Sequence, residues 1–593
     1  MISTPEFQWN GGPMEILLVH LPFYDYSLQL PQLGMLYVGS SLKSAGFTVG
    51  VLDDEQVTLH GFIDLVKKAN PRIIGFHVNT DTAFRVRRAV EALRHSVPDM
   101  PLIMLGGPHV TVKDKHLLEE SCGDIVVRGE GEDTAREIAD WRLNGQGDIA
   151  SIRGITYRTA TGDIIRNPDR EFIADLDKVP HPDRNLLINK PKYPTFNIIT
   201  GRGCPYNCAF CAEGLSSIQY RFRSAESVLS EVDGLFRDES HGYLGILDDT
   251  FLVNRDRVEK IAKGLMERYG RDKRVIWFCE GRVDFINKNP DIFPLLKESG
   301  LVRVQIGIES GCQEVLDAYR KGVRIDEIEN AVAILRDADI PSIYGNFILG
   351  GALESRETVQ KTIGFAKRLT ALAPGRMECS STLLSTYPGT AVSENPARFG
   401  LTIVDREMVS CLSTQHPIAI TESLGVHEIL SACAEFKDEI AKTCTEVIST
   451  VPRSLIRCHI NFKEYGLSTF WADVFLRYHG IKTYFEMINS GCFVSIRTIP
   501  HGNIFDMIPY RTNRIIDVDA ALMGVKFLPR SIVFNDMSSR IYELCSGKLT
   551  VRDIIKRLRD KIEPLPPEPY LSDQVFRVLQ DMDDCFLVVF SDL

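Results

Sequence analysis

The sequence predicts an α/β protein of several domains: an N-terminal doubly wound sheet, a central partial barrel of alternating strands and helices, and a C-terminal α+β, winged-helix-like domain. Three observations predict it. Short apolar strands alternate with amphipathic helices over residues 14–140, the alternation resumes from residue 195, and after residue 516 strands come first and helices follow. A chain of 593 residues exceeds what one core serves, and a prior of about 150 residues per domain calls for three to five. The expected division is 1–149, a linker over 150–194, 195–404, a helical extension over 405–515, and 516–593.

Composition narrows the class. A hydrophobic fraction of 44% with 25% charged residues fits a globular enzyme and excludes a disordered or fibrous chain. No window approaches the ~18 uninterrupted apolar residues of a membrane span. The N-terminus lacks a basic region followed by an apolar core, so no export is expected. A net charge of -11 opposes nucleic-acid binding. Fourteen cysteines are too dilute for a disulfide scaffold and point to a reducing cytosol.

In the first domain Ile16–Val19, Val49–Leu52, Ile73–Phe76, Ile103–Leu105 and Ile125–Val127 read as strands, separated by helices such as Leu36–Ala45 and Ala83–His95. A doubly wound sheet binds its ligand beyond the strand C-termini. Gly106-Gly107 ends a strand without G-x-G-x-x-G, which argues against a nicotinamide or flavin. His77, Asn79 and Thr80 follow the third strand, and His77 reads either as a satisfied core histidine or as a ligand-facing one. The Pro-rich run Asp175–Arg184 marks the linker.

The second domain opens on Phe196–Ile199, a buried strand, followed by Thr200-Gly201-Arg202-Gly203-Cys204-Pro205-Tyr206-Asn207-Cys208-Ala209-Phe210-Cys211. A structural zinc site takes four ligands. Three thiolates instead suit an iron–sulfur cubane with one iron left open. Strands at Tyr243–Leu247, Val275–Phe278, Val302–Ile308 and Ile343–Leu349 alternate with helices at Ser224–Phe236, Arg255–Tyr269, Ile325–Ala338 and Glu357–Leu372. Polar residues gather where strands end: Asp248-Asp249, Glu280 with Arg282, Glu309-Ser310-Gly311 and Gly350-Gly351. Barrel enzymes place their sites there; the alternative is that these carboxylates cap the next helices.

Between 405 and 510 Cys411, Cys433, Cys444, Cys458 and Cys492 are scattered and predict no second cluster, while His427–Ile448 reads as a helix. Farther on, Val525–Leu528 and Ser531–Phe534 predict a hairpin turning at Pro529-Arg530. A helix follows through Ile541, Tyr542 and Leu544, Thr550 caps a second with Val551, Ile554, Ile555 and Leu558 inward, Leu565–Pro569 interrupts, a third helix carries Phe576 and Leu579, and Phe586–Phe590 closes as a strand.

The spacing CxxxCxxC with Phe210 before the last cysteine resembles the radical S-adenosylmethionine (SAM) superfamily. The segments Asp248-Asp249-Thr250-Phe251, Gly307-Ile308-Glu309-Ser310-Gly311 and Tyr387-Pro388-Gly389-Thr390 resemble its cobalamin-dependent branch. By that resemblance Cys204, Cys208 and Cys211 hold one 4Fe-4S cluster. SAM is then expected at Phe210, Asp248, Asp249 and Arg282, and at Glu309, Ser310, Leu349 and Gly350. Where the branch often carries Pro-Gly-Glu-Thr, this chain reads Ala352-Leu353-Glu354-Ser355. The segments Pro31–Gly34, Gly106–Thr111 and Arg128–Glu132 resemble the preceding Rossmann-like cobalamin-binding domain. The expected corrinoid contacts are Leu33 and Gly34; His77, Asn79 and Thr80; Gly106, Gly107, Pro108, His109 and Thr111; and Glu130 with Glu132. D-x-H-x-x-G is missing, so the resemblance implies base-off cobalamin without a histidine below cobalt; a domain that keeps the fold and binds nothing is the alternative. The C-terminal segment resembles the PqqD-like element that binds a leader peptide as an added strand, or keeps that fold for stability alone.

The implied activity is C-methylation of a peptide or an amino-acid-derived substrate in natural-product biosynthesis, through methylcobalamin and a 5'-deoxyadenosyl radical. A flavodoxin- or ferredoxin-type donor would supply electrons, and neither nucleic acid nor membrane is an expected partner. The rivals are a ring-forming or oxidising enzyme of the same branch and a peptide-binding component of a modifying complex.

Overall fold

The computed structural model describes residues 11–21, 31–53, 57–120, 122–188, 195–213, 219–239, 241–270, 275–405, 416–500, 503–513, 515–519, 522–527, 530–560 and 568–592. The chain divides into two compact units, Met1–Ala366 with Cys379–Lys437, and Lys367–Glu378 with Asp438–Leu593.

The first unit contains two large sheets. In one, the strands run in the order Val49–Asp53, Ile16–His20, Ile73–His77, Leu102–Gly106, Ile125–Val127, Ile155–Arg158, Ile164–Arg166. The first five pair in parallel, and their order 2-1-3-4-5 places the switch point between the strands ending at His20 and His77. Side chains alternate across the sheet, so Leu17 and Val19 enter one core layer and Ile16 and Leu18 the other. The last two strands are antiparallel and lie in the expected linker. Apolar Ile155, Tyr157 and Ile164 give that segment enough strand character to extend the sheet, so only part of 150–194 is a connector.

The other sheet is six-stranded, with Thr195–Ile198, Gly242–Ile246, Val275–Gly281, Leu301–Glu309, Ser342–Leu349 and Met377–Leu383 side by side in chain order. The first five pair in parallel, which demands a crossover after each strand. Helices such as Ala225–Leu235 and Arg255–Tyr269 supply them, capped by Ser224 and Asn254. Because Asn254 caps the helix after Asp248-Asp249, neither carboxylate is needed as its cap. Among the described residues no helix is long and apolar enough to cross a membrane.

In the second unit, Ile508–Arg511 pairs antiparallel with Val588–Ser591, so the expected helical extension and the terminal domain share one core. Asp583 lies fully buried between them, accepting from Tyr484 Oη at 2.9 Å and Ser495 Oγ at 2.7 Å. The expected hairpin is a three-stranded antiparallel meander, Ile515–Asp519, Leu522–Phe527 and Arg530–Val533. Helices Asp536–Leu544, Val551–Arg559 and Glu568–Asp584 follow it. Thr550 and Asp553 form a reciprocal cap on the middle helix. Cys411, the Leu528-Pro529 turn and Leu565–Pro567 lie outside the described residues.

Candidate active site

The three-cysteine loop leaves its strand through Gly201 and Gly203. Gly203 sits at φ +77°, a conformation open to glycine at little cost. Asp248 anchors the start of the loop. It is buried, and it accepts from the Thr200 backbone N–H and Thr200 Oγ1, each at 2.5 Å. The far end is held by backbone bonds from Ala209 to Tyr319 at 2.9 Å and from Val392 to Ala209 at 3.1 Å. The Phe210 ring stands edge-on to Tyr319, centroids 4.9 Å apart.

Cys204, Cys208 and Cys211 are half-buried. Burial pushes the Cys204 thiol up. Among the described residues no three His, Cys, Asp or Glu side chains converge on one metal ion. A cubane takes one thiolate per iron, so its ligands need not meet at a point. Three thiols on one short anchored loop fit a cluster.

Cys211 and Phe210 face a cavity of about 1150 Å³ that continues to the C-terminal end of the doubly wound sheet. Ordinary small-molecule sites span ~300–1,000 Å³. Eleven of the twelve residues expected to bind corrinoid line it. Leu33 does not; it is buried in the helix-facing core. Its neighbour Gly34 and also Gly106 leave backbone open to the cavity, since a Cβ on either would meet nothing within 4 Å. Gly107, at φ +110°, is different: a Cβ there would stand 2.8 Å from the Val78 carbonyl. His109 Nδ1 lies 3.2 Å from Thr80 Oγ1, in hydrogen-bonding range, and its buried Nε2 has no hydrogen-bond partner. Burial lowers its pKa to about 4. The bare glycine backbone and the orphaned imidazole nitrogen fit a large flat ligand bearing polar substituents.

His77 also lines the cavity, but its Nε2 is 3.1 Å from Asn79 Oδ1. Burial and then His20 lower its pKa to about 4, which matches the satisfied core histidine. Glu130 and Glu132 are on the wall and already committed. Arg202 reaches Glu130 at 2.9 Å and Glu132 at 2.5 Å, and Arg221 reaches Glu130 at 3.0 Å.

Of the eight residues expected at SAM, Phe210 and Asp249 reach this cavity. Asp248 points inward to Thr200. Ser310 is fully buried, bonded to Thr362 Oγ1 at 3.0 Å, and Leu349 is buried in the core. Gly350 gives its N–H to Glu354 at 2.6 Å, so the departing Ala352–Ser355 segment supplies a carboxylate to its own turn. Arg282 faces Cys208, with Nη1 3.7 Å from Sγ. Glu309, at φ +63° beside a bulge, is buried against Lys321 Nζ at 2.6 Å. Lys321 Nζ in turn stands 5.9 Å from the centroid of the Phe210 ring.

The residues missed from sequence are Arg202, Arg221 and Lys321. Arg221 opens the two-residue strand Arg221–Phe222, and nothing in its local sequence marks it as a cavity residue. Burial, then Glu213, Asp248 and Glu280, push Asp249 up to about 8. Burial and then Asp248 push Glu280 up to about 7.

These shifts set a pH dependence. Between the unfolded carboxylate value and about 7, the folded chain holds a proton on Glu280 that the unfolded chain has released. Stability is therefore lost as pH rises across that window. One group contributes at most about 1.4 kcal/mol per pH unit. Denaturant titrations from pH 5 to 7 are expected to show the decline, and Glu280→Gln to flatten it.

The Radical SAM superfamily profile matches residues 198–366 and that of the B12 binding domain residues 25–139. An uncharacterized methyltransferase of Pyrococcus horikoshii is 31% identical over 395 residues, 64% of this chain and 83% of that protein. An anaerobic magnesium-protoporphyrin IX monomethyl ester cyclase of Rubrivivax gelatinosus is 26% identical over 379 residues, 60% of this chain and 66% of its own. The radical S-adenosylmethionine methyltransferase TsrM from Kitasatospora setae, solved with cobalamin and a 4Fe-4S cluster bound, superposes with a TM-score of 0.56 at 18% identity. The match covers 73% of this chain and 89% of that one, and carries the fold alone.

Proposed function

This chain belongs to the cobalamin-dependent radical SAM family, whose cofactors are a 4Fe-4S cluster, SAM and cobalamin, and on that premise we propose that it is a C-methyltransferase. The observation that carries the reading is the single cavity that has Cys211 on one wall and the Gly34, Gly106 and His109 backbone and side chains on the other. When bound, the cluster supplies reductive cleavage of SAM to a carbon radical, and cobalamin supplies a methyl carrier. In this reading Cys204, Cys208 and Cys211 hold the cluster, and Asp249 accepts from the SAM amino group. Gly106, Gly107 and Thr111, which line the cavity, would receive the edge of the corrinoid. The substrate carbon would lie in the same cavity. Phe210, Leu247 and Tyr387 give that space apolar walls, which keep water from a radical.

Product analysis tests the reaction. Methyl transfer is expected to yield S-adenosylhomocysteine and 5'-deoxyadenosine together. Formation of 5'-deoxyadenosine and methionine alone would favour the ring-forming chemistry of the cyclase relative.

The substrate is proposed to be a peptide. Support comes from the meander followed by three helices, in which Arg530–Val533 is an edge strand, the arrangement to which an extended segment adds by backbone pairing. Proline at whichever of Ile532 and Val533 points its N–H away from Leu522–Phe527 removes a docking donor without breaking the sheet. The apparent KM for a leader-bearing substrate is expected to rise several-fold. Unchanged KM in a folded variant would favour a free amino-acid-derived substrate.

A further inference from the structure

Arg282 was expected at SAM, yet each edge of its guanidinium is placed on the protein. Nη1 lies 3.7 Å from Cys208 Sγ, Nη2 donates to the Lys321 carbonyl at 2.6 Å, and Nε donates to Asp284 Oδ1 at 3.2 Å. Its central carbon sits 3.6 Å from the centroid of the Tyr206 ring, and Tyr206 Oη donates to Asp284 Oδ2 at 2.8 Å. Tyr206 lies between Cys204 and Cys208 in the loop. One carboxylate thus orients both the cation and the ring beneath it. The group is largely buried, with Arg282 9% exposed, so solvent screens its charge little.

We propose that Arg282 is a positioning residue that tunes the cluster: held by Tyr206 and Asp284, it donates to the Cys208 thiolate and raises the cluster's reduction potential. The inference rests on Cys208 being a cluster ligand. One electron from an external low-potential donor enters on reduction, and no bond to the protein forms or breaks. The added negative charge is stabilised by a cation fixed at the sulfur more than the oxidised state is, and hydrogen bonds to cluster sulfurs act in the same direction. A guanidinium stays protonated at any working pH, so this contribution does not titrate.

An EPR-monitored redox titration of the reconstituted full-length chain without SAM tests this. Arg282→Gln is expected to keep about four irons per chain. At a fixed poise its reduced-to-oxidised ratio is expected to fall about tenfold, equivalent to about 59 mV for one electron. Tyr206→Phe keeps the ring and loses the tether, and a smaller shift of the same sign is expected. An unchanged midpoint in Arg282→Gln with full iron overturns the proposal, and weakened SAM binding at an unchanged midpoint would return Arg282 to SAM. Should Arg282→Gln fail to hold iron, Tyr206→Phe decides, and an unchanged midpoint there also overturns it. A wild-type chain that took up no cluster would remove the underlying cluster reading, an outcome visible in the iron content alone.

Discussion

Replacing Cys204, Cys208 and Cys211 together with Ala is expected to abolish 5'-deoxyadenosine formation and to reduce the iron retained after anaerobic reconstitution from about four atoms per chain to none. The fold should survive the change. Asp248, Tyr319 and Val392 hold the loop through bonds that involve no cysteine sulfur, and the three thiols are only half-buried. Truncating such side chains removes little packing. Circular dichroism should therefore match the wild type while SAM cleavage is lost. Full reductive cleavage in the triple variant would refute the cluster assignment outright.

Lys321→Met is expected to produce the largest loss of stability of any single change near the site. Lys321 and Glu309 form a buried pair, their side chains 9% and 7% exposed. Removing one member leaves an uncompensated charge, which costs about 3–5 kcal/mol. Glu309 cannot readily swing to water, because its backbone is held at φ +63° next to a sheet bulge. The double variant Lys321→Met with Glu309→Gln is expected to recover most of the loss, since the charge is gone with its partner. Denaturant midpoints of the two single variants and the double form the cycle. A fully additive double variant would mean that the two residues do not act as a pair.

What was legible in the sequence followed from local rules. The apolar runs announced both large sheets and the helices that connect their strands, and Thr550 announced the helix Val551–Arg559. The spacing of Cys204, Cys208 and Cys211 announced a shared ligand. The glycines at 34, 106 and 107 stood out because only bare backbone leaves room for a large ligand. Contacts between residues distant in sequence were not legible. Nothing near Glu130 reveals that Arg202 and Arg221 will occupy it, because those partners stand some seventy to ninety residues away. Asp248 and Asp249 were treated as equals, although successive residues leaving a strand face opposite ways; that rule separates the anchor from the cavity residue. The terminal meander was read one strand short, because Ile515–Asp519 interleaves aspartates with its apolar residues.

Arg202 stands two residues before Cys204 and grips Glu130 and Glu132, in the loop and at the start of the helix that follow the strand Ile125–Val127. The span between the cysteine loop and the opposite wall is thereby tied by charge. Whatever free energy a corrinoid lends to that wall is shared with the loop, and equilibrium linkage makes the effect mutual. With a cluster on the loop and a corrinoid at that wall, each cofactor is expected to favour retention of the other. Cells supplied with corrinoid during expression should yield chains richer in iron, and cells limited for iron should yield chains poorer in corrinoid.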